Sequence, residues 1–434
     1  GGSLEYTDES NMQEYNWASE TLTGEKSNYD KAVSSDSKNM QINNAIAGKL
    51  GNLKIYGNSI QNGTPTPDNP VEIQSVGELV TDANDSNYGK YKIPVTVTGK
   101  NIGTAKQVYS GLKKSAGTAN DSRYTEKIRD GRECVYFVDN FEMKYSDIYF
   151  RENTQYTFSF DYKQTLNSSS ASKETSDLLC IWYTDSSRDD IVVSNPNHET
   201  EWKHISYTSK ANKTIKAIGT ISHNYRFGNY IDINTFQIEE GNKETDYEPY
   251  KGQTTNIYLN EPLRKVGDAV DYIDFKNKKV VRNVKERVFD GTERWELGAS
   301  GINTVNQRFY LADSDLLSNG RLLSNILVEK YPGKVSIFTQ DVEGCNISNY
   351  RFYQLKINKT YLTNLNYDVS VSGFKKYLSD LKNENKPVKV CATLESKTEE
   401  KILNLPEIST INGTNNISIG TSVNPSKMEV IYGK

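Results

Sequence analysis

The chain has 434 residues, which is enough for two or three domains that each bury a core of their own. The formal net charge is −4 and lysine and arginine are not clustered, which argues against nucleic acid as a main partner. Hydrophobic residues make up 35% of the chain and no run of about 18 apolar residues occurs, so we expect no membrane-spanning helix and no membrane insertion.

The composition also predicts an all-β protein. Tyrosine occurs 29 times and methionine only 4 times, and β-formers and turn-formers are abundant. The four cysteines lack the short spacing of a metal site and lie in or beside apolar runs, so we expect buried free thiols. Three scattered histidines give no reason to expect zinc.

The first part of the chain divides into a polar segment and a β-rich segment. Residues 1–45 are polar with weak periodicity, which predicts an arm or linker. Residues 46–99 contain alternating apolar and polar runs at 52–56 and 91–97, which predict strands. The proline-rich loop between these strands cannot belong to the middle of a sheet.

Residues 100–251 consist of short strand-like runs separated by polar loops. The cleanest strand has aromatic residues at every second position: Tyr156, Phe158, Phe160 and Tyr162. The run Val135 to Val138 is wholly apolar and predicts a buried strand. Such a series of short strands is typical of a sandwich or barrel.

The rest of the chain returns to short strands over 252–297 and ends in a mostly-β unit over 298–434, which contains one short helix. Four apolar residues in that unit have the spacing of one helical face: Phe374, Tyr377, Leu378 and Leu381. Ser372 is the predicted N-cap of this helix. We expect the helix to cover a sheet.

Two distant segments resemble a known family. Residues 52–77 read NLKIYGNSIQNGTPTPDNPVEIQSVG, and residues 256–281 read NIYLNEPLRKVGDAVDYIDFKNKKVV. Both resemble segments of tail and minor structural proteins of bacteriophages and prophages from Gram-positive bacteria. In that family the two segments flank a jelly roll. The resemblance therefore implies that a jelly roll at 100–251 is inserted into a discontinuous β domain formed by 46–99 and 252–297.

The inserted block carries a second resemblance. The runs TQYTFSF at 154–160 and FQIEEGNKETDYEPY at 236–250 look like parts of carbohydrate-binding jelly rolls found in secreted glycosidases and phage tails. This resemblance implies that Trp202 packs inside. Such jelly rolls often hold a structural calcium, for which Asp232 and Glu239 are the nearest matches. The ligand set is incomplete in the sequence, so we assign no metal ligand and no cofactor.

Sugar recognition uses aromatic faces that stack on pyranose rings, with carboxylates, amides and guanidinium groups that bind hydroxyls. The candidate glycan-binding residues of the jelly roll are Trp182, Tyr183, Asp185, Tyr225, Arg226, Phe227 and Tyr230, with Asp189 and Asp190 beside them. Trp182 and Tyr183 lie on opposite faces of one predicted strand, so we expect one of them to be buried and the other not. Tyr225 to Phe227 fall in a predicted loop, where aromatic residues favour ligand contact.

The resemblance implies a receptor-binding protein of a phage or phage-like tail that attaches to a host cell-wall or capsular polysaccharide. It would be assembled in the host cytoplasm with other tail or baseplate subunits, as a homotrimer, and would act outside at the cell surface. The first alternative is a scaffold protein that binds no glycan, in which the aromatic residues are core or subunit interface. A polysaccharide depolymerase is less favoured, because no hydrolase motif is present and a pair of carboxylates cannot be singled out among 56 acidic residues. We therefore expect no enzymatic activity.

Overall fold

The computed structural model describes residues 31–35, 38–45, 47–50, 52–109, 124–138, 140–145, 147–166, 175–194, 201–222, 227–298, 304–330 and 341–432. Strands predominate among these residues, and they form several sheets with separate hydrophobic cores. The all-β, multi-domain fold expected from the composition is confirmed.

The strands are numbered in chain order. Before residue 100 they are β1 (Lys31–Ser35), β2 (Asn39–Ala45), β3 (Gly48–Lys49), β4 (Lys54–Tyr56), β5 (Ser59–Ile60), β6 (Gln74–Ser75), β7 (Glu78–Leu79) and β8 (Tyr91–Thr98). Up to residue 251 they are β9 (Tyr124–Arg129), β10 (Arg132–Val138), β11 (Asn140–Tyr145), β12 (Tyr156–Leu166), β13 (Thr175–Tyr183), β14 (Arg188–Ser194), β15 (Lys203–Thr208), β16 (Ile215–Ser222), β17 (Phe227–Asp232) and β18 (Gln237–Glu240).

The remaining strands are β19 (Gly252–Leu259), β20 (Lys265–Val266), β21 (Ala269–Val270), β22 (Tyr272–Asp274), β23 (Lys279–Phe289), β24 (Glu296–Leu297), β25 (Asn306–Ala312), β26 (Leu322–Ser324), β27 (Gly344–Ile347), β28 (Phe352–Asn358), β29 (Val388–Lys401), β30 (Ser409–Thr410), β31 (Gly413–Ile419) and β32 (Lys427–Tyr432). Two helices of this part are α1 (Lys359–Asn364) and α2 (Val371–Asn383). Residues 105–109 are also helical.

The first unit packs two sheets on a shared core. A five-stranded sheet has the order β19-β8-β31-β2 with β7 also on β8, and a seven-stranded sheet has the order β1-β32-β4-β22-β23-β29-β26. Core side chains come from three separate parts of the chain, among them Ile55, Ile93, Val95, Ile273, Ile417 and Met428. The predicted strand at 91–97 is confirmed as part of β8.

Two parts of the chain lie elsewhere than the sequence predicts. Residues 31–45 fall in the expected polar arm, yet β1 and β2 pair with β32 and β31, and Met40 and Ile42 are core residues. Residues 1–30 lie outside the described residues. The chain from 409 to 432 falls in the predicted last unit, yet β31 and β32 pair with β8 and β4 of the first unit. A local pattern identifies a strand but not its partner, which is set by contacts far along the chain.

The block between β8 and β19 is a two-sheet, jelly-roll-like sandwich. One sheet has the order β15-β12-β17-β10-β9 with β18 also on β12, and the facing sheet has the order β11-β16-β13-β14. The alternating aromatic residues predicted at 156–162 all enter the core between the sheets, where the Phe160 and Phe236 rings stack 5.4 Å apart. The block starts and ends on neighbouring strands, because Thr98 of β8 pairs with Gly252 of β19.

The last unit packs the sheet β24-β25-β28-β27 and helix α2 against β23, β26 and β29. The predicted helical face is confirmed, because Phe374, Tyr377 and Leu378 are buried. The predicted N-cap is wrong: α2 begins after Ser370, whose hydroxyl accepts a hydrogen bond from the amide of Gly373, 3.1 Å away. Ser370 has the extended backbone that an N-cap requires, whereas Ser372 already lies within the helix.

All four cysteines are buried free thiols, as the sequence predicts. Burial raises the pKa of Cys134 to about 11 and that of Cys391 to about 12, and it also raises the pKa of Cys345. A thiol with a raised pKa is a poor nucleophile at neutral pH. These side chains therefore act as small, buried apolar residues.

Candidate functional site

The structure separates residues that the sequence analysis groups together. Tyr183 lies at the end of β13, points into the sandwich core and is 1% exposed. Trp182 lies on the opposite face of the same strand, where it packs with Cys180 and Ala217 and is 8% exposed. The prediction that only one of the two is buried is wrong, because small neighbours on β13 and β16 enclose the indole as well.

The acidic residues near Tyr183 form hydrogen bonds and ion pairs with neighbouring side chains and amides. The Tyr183 hydroxyl donates to Asp189, and Lys210 forms an ion pair with the same carboxylate. Asp185 is exposed in the turn between β13 and β14, where it accepts a 3.0 Å hydrogen bond from the Ser187 amide and lies 2.9 Å from Lys213 Nζ. The hydrogen bonds from Ser187 hold the pKa of Asp185 well below its usual range. Asp190 forms an ion pair with Arg188. These contacts organise the turn.

Two of the other candidates, Phe227 and Tyr230, belong to β17 in the six-stranded sheet. Tyr225 and Arg226 lie outside the described residues. Phe227 begins β17 with its backbone opposite Leu166, and its side chain is not among those described. Tyr230 lies in the middle of β17 on the outer face of the six-stranded sheet. Trp182 and Tyr230 therefore lie on the outer faces of different sheets and do not form one site.

Tyr230 belongs to a second aromatic cluster, which we call the outer aromatic face and define as Tyr136, Tyr230 and Trp202. Tyr136 of β10 lies directly opposite Tyr230 of β17, and their ring centroids are 4.8 Å apart. Trp202 packs against this pair. A Cβ on Gly228 would lie 2.7 Å from the Tyr136 ring, so glycine at this position leaves the space that the ring occupies.

Three cations lie over these rings. The Nζ of Lys127 is 3.6 Å from the centroid of Tyr136, and the guanidinium carbons of Arg129 and Arg132 are 5.4 Å from Tyr230 and 4.6 Å from Trp202. Each such contact contributes about 0.5–1 kcal/mol when exposed and about 2 kcal/mol when dry. Tyr136 and Tyr230 are only 9% and 8% exposed, and their outer ring faces lie beneath cationic side chains.

An ion-pair network borders the outer aromatic face. The carboxylate of Asp130 accepts hydrogen bonds from Lys163 Nζ at 2.7 Å and from Trp202 Nε1 at 3.1 Å. The hydrogen bond from Lys163 is the main cause of the lowered pKa of Asp130. Arg132 bridges two more carboxylates, Asp161 at 2.8 Å and Asp232 at 3.2 Å. The hydrogen bond to Asp130 fixes the edge of the Trp202 indole, and the face of the indole is directed toward Arg132.

His204 extends this network to the edge strand β15. Its Nδ1 is 2.8 Å from Asp161 Oδ1 and its Nε2 is 2.8 Å from Glu244 Oε1. Partial burial lowers the pKa of His204, but the hydrogen bond to Asp161 and the charge of Glu244 outweigh it, so the pKa is raised overall. The protonated ring donates to both carboxylates and ties the loop after β18 to the sheet.

Sequence reasoning missed most of the outer aromatic face. Tyr136 belongs to the run predicted to be a buried strand. Side chains alternate between the two faces of a strand, so Tyr136 points outward when its neighbours Val135 and Phe137 enter the core. Only this alternation could have indicated its outward position. Trp202 was assigned to the interior by the resemblance, but it is half-buried and packs outside the core. Its indole NH needs an acceptor, and Asp130 at the β9–β10 turn supplies one.

The two carboxylates considered for calcium have protein partners. Glu239 accepts hydrogen bonds from the Thr245 amide at 2.8 Å, the Thr245 hydroxyl at 2.6 Å and Gln237 Nε2 at 2.8 Å. Asp232 is paired with Arg132. Among the described residues, no group of three or more histidine, cysteine, aspartate or glutamate side chains is placed to hold a metal ion.

A cleft of about 470 Å³ lies where the pairing of β23 with β29 shifts register. Several acids line it, and each takes part in an ion pair: Glu261 and Glu286 with Arg264, Asp315 with Lys285, and Glu395 with Arg351. Glycoside hydrolysis needs one carboxylate held protonated near a second one. The ion pair with Lys285 instead lowers the pKa of Asp315, and the hydrogen bond from Arg264 outweighs partial burial and lowers the pKa of Glu261.

Known proteins give no information about this site, and its interpretation depends on its own geometry. No family model, no curated protein and no solved structure matches the chain. In the described segments, no helix is long and apolar enough to cross a membrane.

Proposed function

We propose that this chain is a receptor-binding component of a phage or phage-like tail and that it attaches to a cell-wall or capsular glycan of the host. The binding surface would be the outer aromatic face of the jelly-roll-like unit. The observation that carries this proposal is the clustering of Tyr136, Tyr230 and Trp202 outside the sandwich core, at a surface rich in charged groups. The sequence resemblance to phage tail proteins supports the biological setting.

The chemistry of this face suits a sugar. Pyranose rings present C–H groups that pack on aromatic faces, and their hydroxyls need donors and acceptors in fixed positions. The outer aromatic face offers three rings beside the carboxylate of Asp130 and the guanidinium of Arg132. Because the ion-pair network holds these polar groups in place, little side-chain entropy would be lost on binding.

The proposed setting also explains how a small site could serve adhesion. A single aromatic face of this size binds a sugar weakly, and several copies on one tail would raise the effective affinity through avidity. We propose a homo-oligomer, with a trimer as the natural arrangement for a fibre, in contact with other tail or baseplate subunits. It would assemble in the host cytoplasm and act at the surface of the next cell.

A structural scaffold is the second candidate. The low exposure of Trp182, Tyr183 and Tyr230 favours it, because a scaffold needs its aromatic residues only for packing. In that case the outer aromatic face would be part of the stability of the sandwich or of a subunit contact, and no glycan would bind.

Substitution of Trp202 separates the two candidates. We expect Trp202→Ala to weaken binding of the full chain to isolated walls of a Gram-positive host by at least about tenfold, equal to about 1.4 kcal/mol. Binding would be measured by co-sedimentation over a range of protein concentrations. Trp202 is half-buried outside the main core, so the variant should keep the native circular dichroism spectrum.

Trp182→Phe is the matched control, because it changes an indole on the other sheet and should leave wall binding unchanged. Equal binding of the native chain and Trp202→Ala would contradict the proposed site. Absence of binding to walls of every host tried, by folded protein in its native oligomer, would favour the scaffold.

A further inference from the structure

We propose that the last unit carries a second sugar-binding surface, on the outer face of the sheet β24-β25-β28-β27, and that a run of neighbouring sugar rings binds there. This surface lies in a different unit from the outer aromatic face. The inference therefore goes beyond the proposed function, and it can hold even if the outer aromatic face binds nothing.

The outward side chains of two paired strands define the surface. Tyr353 and Leu355 of β28 belong to the core of the last unit. Side chains alternate along a strand, so Phe352 and Gln354 lie on the outer face of β28. Tyr310 of β25 lies directly opposite Gln354 and shares this face. The two strands thus present one continuous outer surface.

Three aromatic rings form a row on this surface, which we call the ring row and define as Tyr310, Phe352 and Tyr350. The ring centroids of Tyr310 and Phe352 are 5.1 Å apart, and those of Phe352 and Tyr350 are 6.4 Å apart. Tyr350 is 74% exposed, and the other two rings are partly exposed. Successive ring faces of this kind suit the C–H faces of successive sugar units.

Polar groups beside the ring row lack partners. Arg308 lies two residues before Tyr310 on the same face of β25, and its Nε finds no acceptor in the described part of the chain. The carboxamide oxygen of Gln354 likewise accepts no hydrogen bond there, and neither does that of Asn346, which lies opposite Gln354 on β27. Buried polar atoms of folded proteins normally have partners, so three such atoms on one face favour a ligand that supplies them.

The acids near Arg308 are bonded to other groups. The carboxylate of Glu296 accepts a 2.5 Å hydrogen bond from the Tyr310 hydroxyl, and Asp341 lies 3.5 Å from Lys356 Nζ. Lys356 lies directly opposite Arg308, and like charges in that position repel each other. The Arg308 guanidinium therefore remains available as a donor to a ligand.

The combination of rings and unused polar groups selects the ligand class. A sugar hydroxyl both donates and accepts, so neighbouring hydroxyls can donate to Gln354 and accept from Arg308 while the sugar rings pack on the ring row. A purely apolar partner would leave these polar groups without hydrogen bonds, which is costly. With a second surface on the last unit, one chain could hold a glycan at two places, and avidity would raise its affinity.

The first test measures co-sedimentation of the full chain with isolated host walls. We expect the Tyr350→Ala/Arg308→Met double variant to bind at least about tenfold more weakly than the native chain. Tyr350 is mostly exposed and Arg308 is partly exposed, so the variant should keep the native circular dichroism spectrum. The matched control is Tyr88→Ala/Arg294→Met, which removes an exposed tyrosine and an exposed arginine elsewhere and should leave binding unchanged.

Comparison with Trp202→Ala separates this inference from the proposed function. If the double variant binds as well as the native chain, the inference fails, whatever Trp202→Ala does. If the double variant weakens binding and Trp202→Ala does not, the inference holds and the outer aromatic face is not the site. If both weaken binding, the triple variant should bind more weakly than either.

The second test identifies what occupies the ring row. Periodate opens sugar rings that carry vicinal hydroxyls and leaves the peptide backbone intact, so the wall binding that remains in Trp202→Ala should be lost on periodate-treated walls. Full retention of that binding would assign a peptide ligand and overturn the inference. A change of oligomeric state in Tyr350→Ala/Arg308→Met, measured by sedimentation velocity, would assign the ring row to a contact between copies and would also overturn it.

Discussion

At the scale of single residues, the outer aromatic face depends on side chains whose roles follow from what lies opposite them. Tyr136 can lie across β17 because position 228 is glycine. Trp202 is held by the hydrogen bond of its indole NH to Asp130. Both residues are tied to groups on other elements, which explains why the sequence did not predict either of them as part of this site.

His204 gives a prediction at this scale. Its pKa in the folded chain is raised above the ordinary value of 6.5, so folding favours the protonated ring. The stabilisation is fully present below about pH 6.5 and is lost as the pH rises through the folded-state pKa. We expect a titration midpoint above 6.5 for His204 in NMR spectra, where comparison with His204→Gln assigns the signal.

The same variant checks the link to stability. His204→Gln should lower resistance to urea at pH 5.5 and change it little at pH 8.5. The difference should stay below about 1 kcal/mol, because the ring is half-exposed and solvent screens its ion pairs. A midpoint at or below 6.5, or an equal loss of stability at both pH values, would contradict the role assigned to the two carboxylates.

At the scale of elements, patterns confined to one segment were predictable from sequence. The aromatic alternation of β12 and the apolar face of α2 both reappear in the structure, because each depends only on the period of its own element. The start of α2 was misplaced by two residues, since two nearby serines can both cap a helix and only backbone geometry distinguishes them. Pairing across the chain, as of β31 with β8, had no local signal.

The cap of α2 gives a prediction at the scale of elements. Ser370→Ala removes the acceptor for the Gly373 amide and should destabilise the last unit by about 1 kcal/mol. Ser372→Ala, inside the helix, should cost much less and is the matched control. Urea unfolding of the full chain, followed by hydrogen exchange of the α2 amides, would measure both. Equal effects of the two substitutions would contradict the assigned cap.

At the scale of the whole molecule, three separate segments of the chain build the first unit. The jelly-roll-like block is inserted between β8 and β19, and the last unit is inserted between β23 and β30. Both insertions begin and end on elements of the first unit, which therefore acts as the frame. The seven-stranded sheet continues into the last unit through β23 and β29.

This arrangement limits what sequence could predict of the site. The resemblance indicated a jelly roll with carbohydrate-binding character, and a two-sheet sandwich is present at that place in the chain. The candidate residues were chosen because aromatic and acidic residues lie close together in sequence, but Trp182 and Tyr230 end on different sheets. Residues that form the outer aromatic face come from β10, from β17 and from the position just before β15, which only the fold brings together.

The most direct test of the central claim is amide hydrogen exchange of the full chain with and without polysaccharide released from host walls. We expect slower exchange in β9, β10 and β17 when the polysaccharide is present, and no change in β13 or β14 on the other sheet. Protection confined to another surface, or no protection at saturating polysaccharide that still sediments with the protein, would contradict the assignment of the outer aromatic face as the binding site.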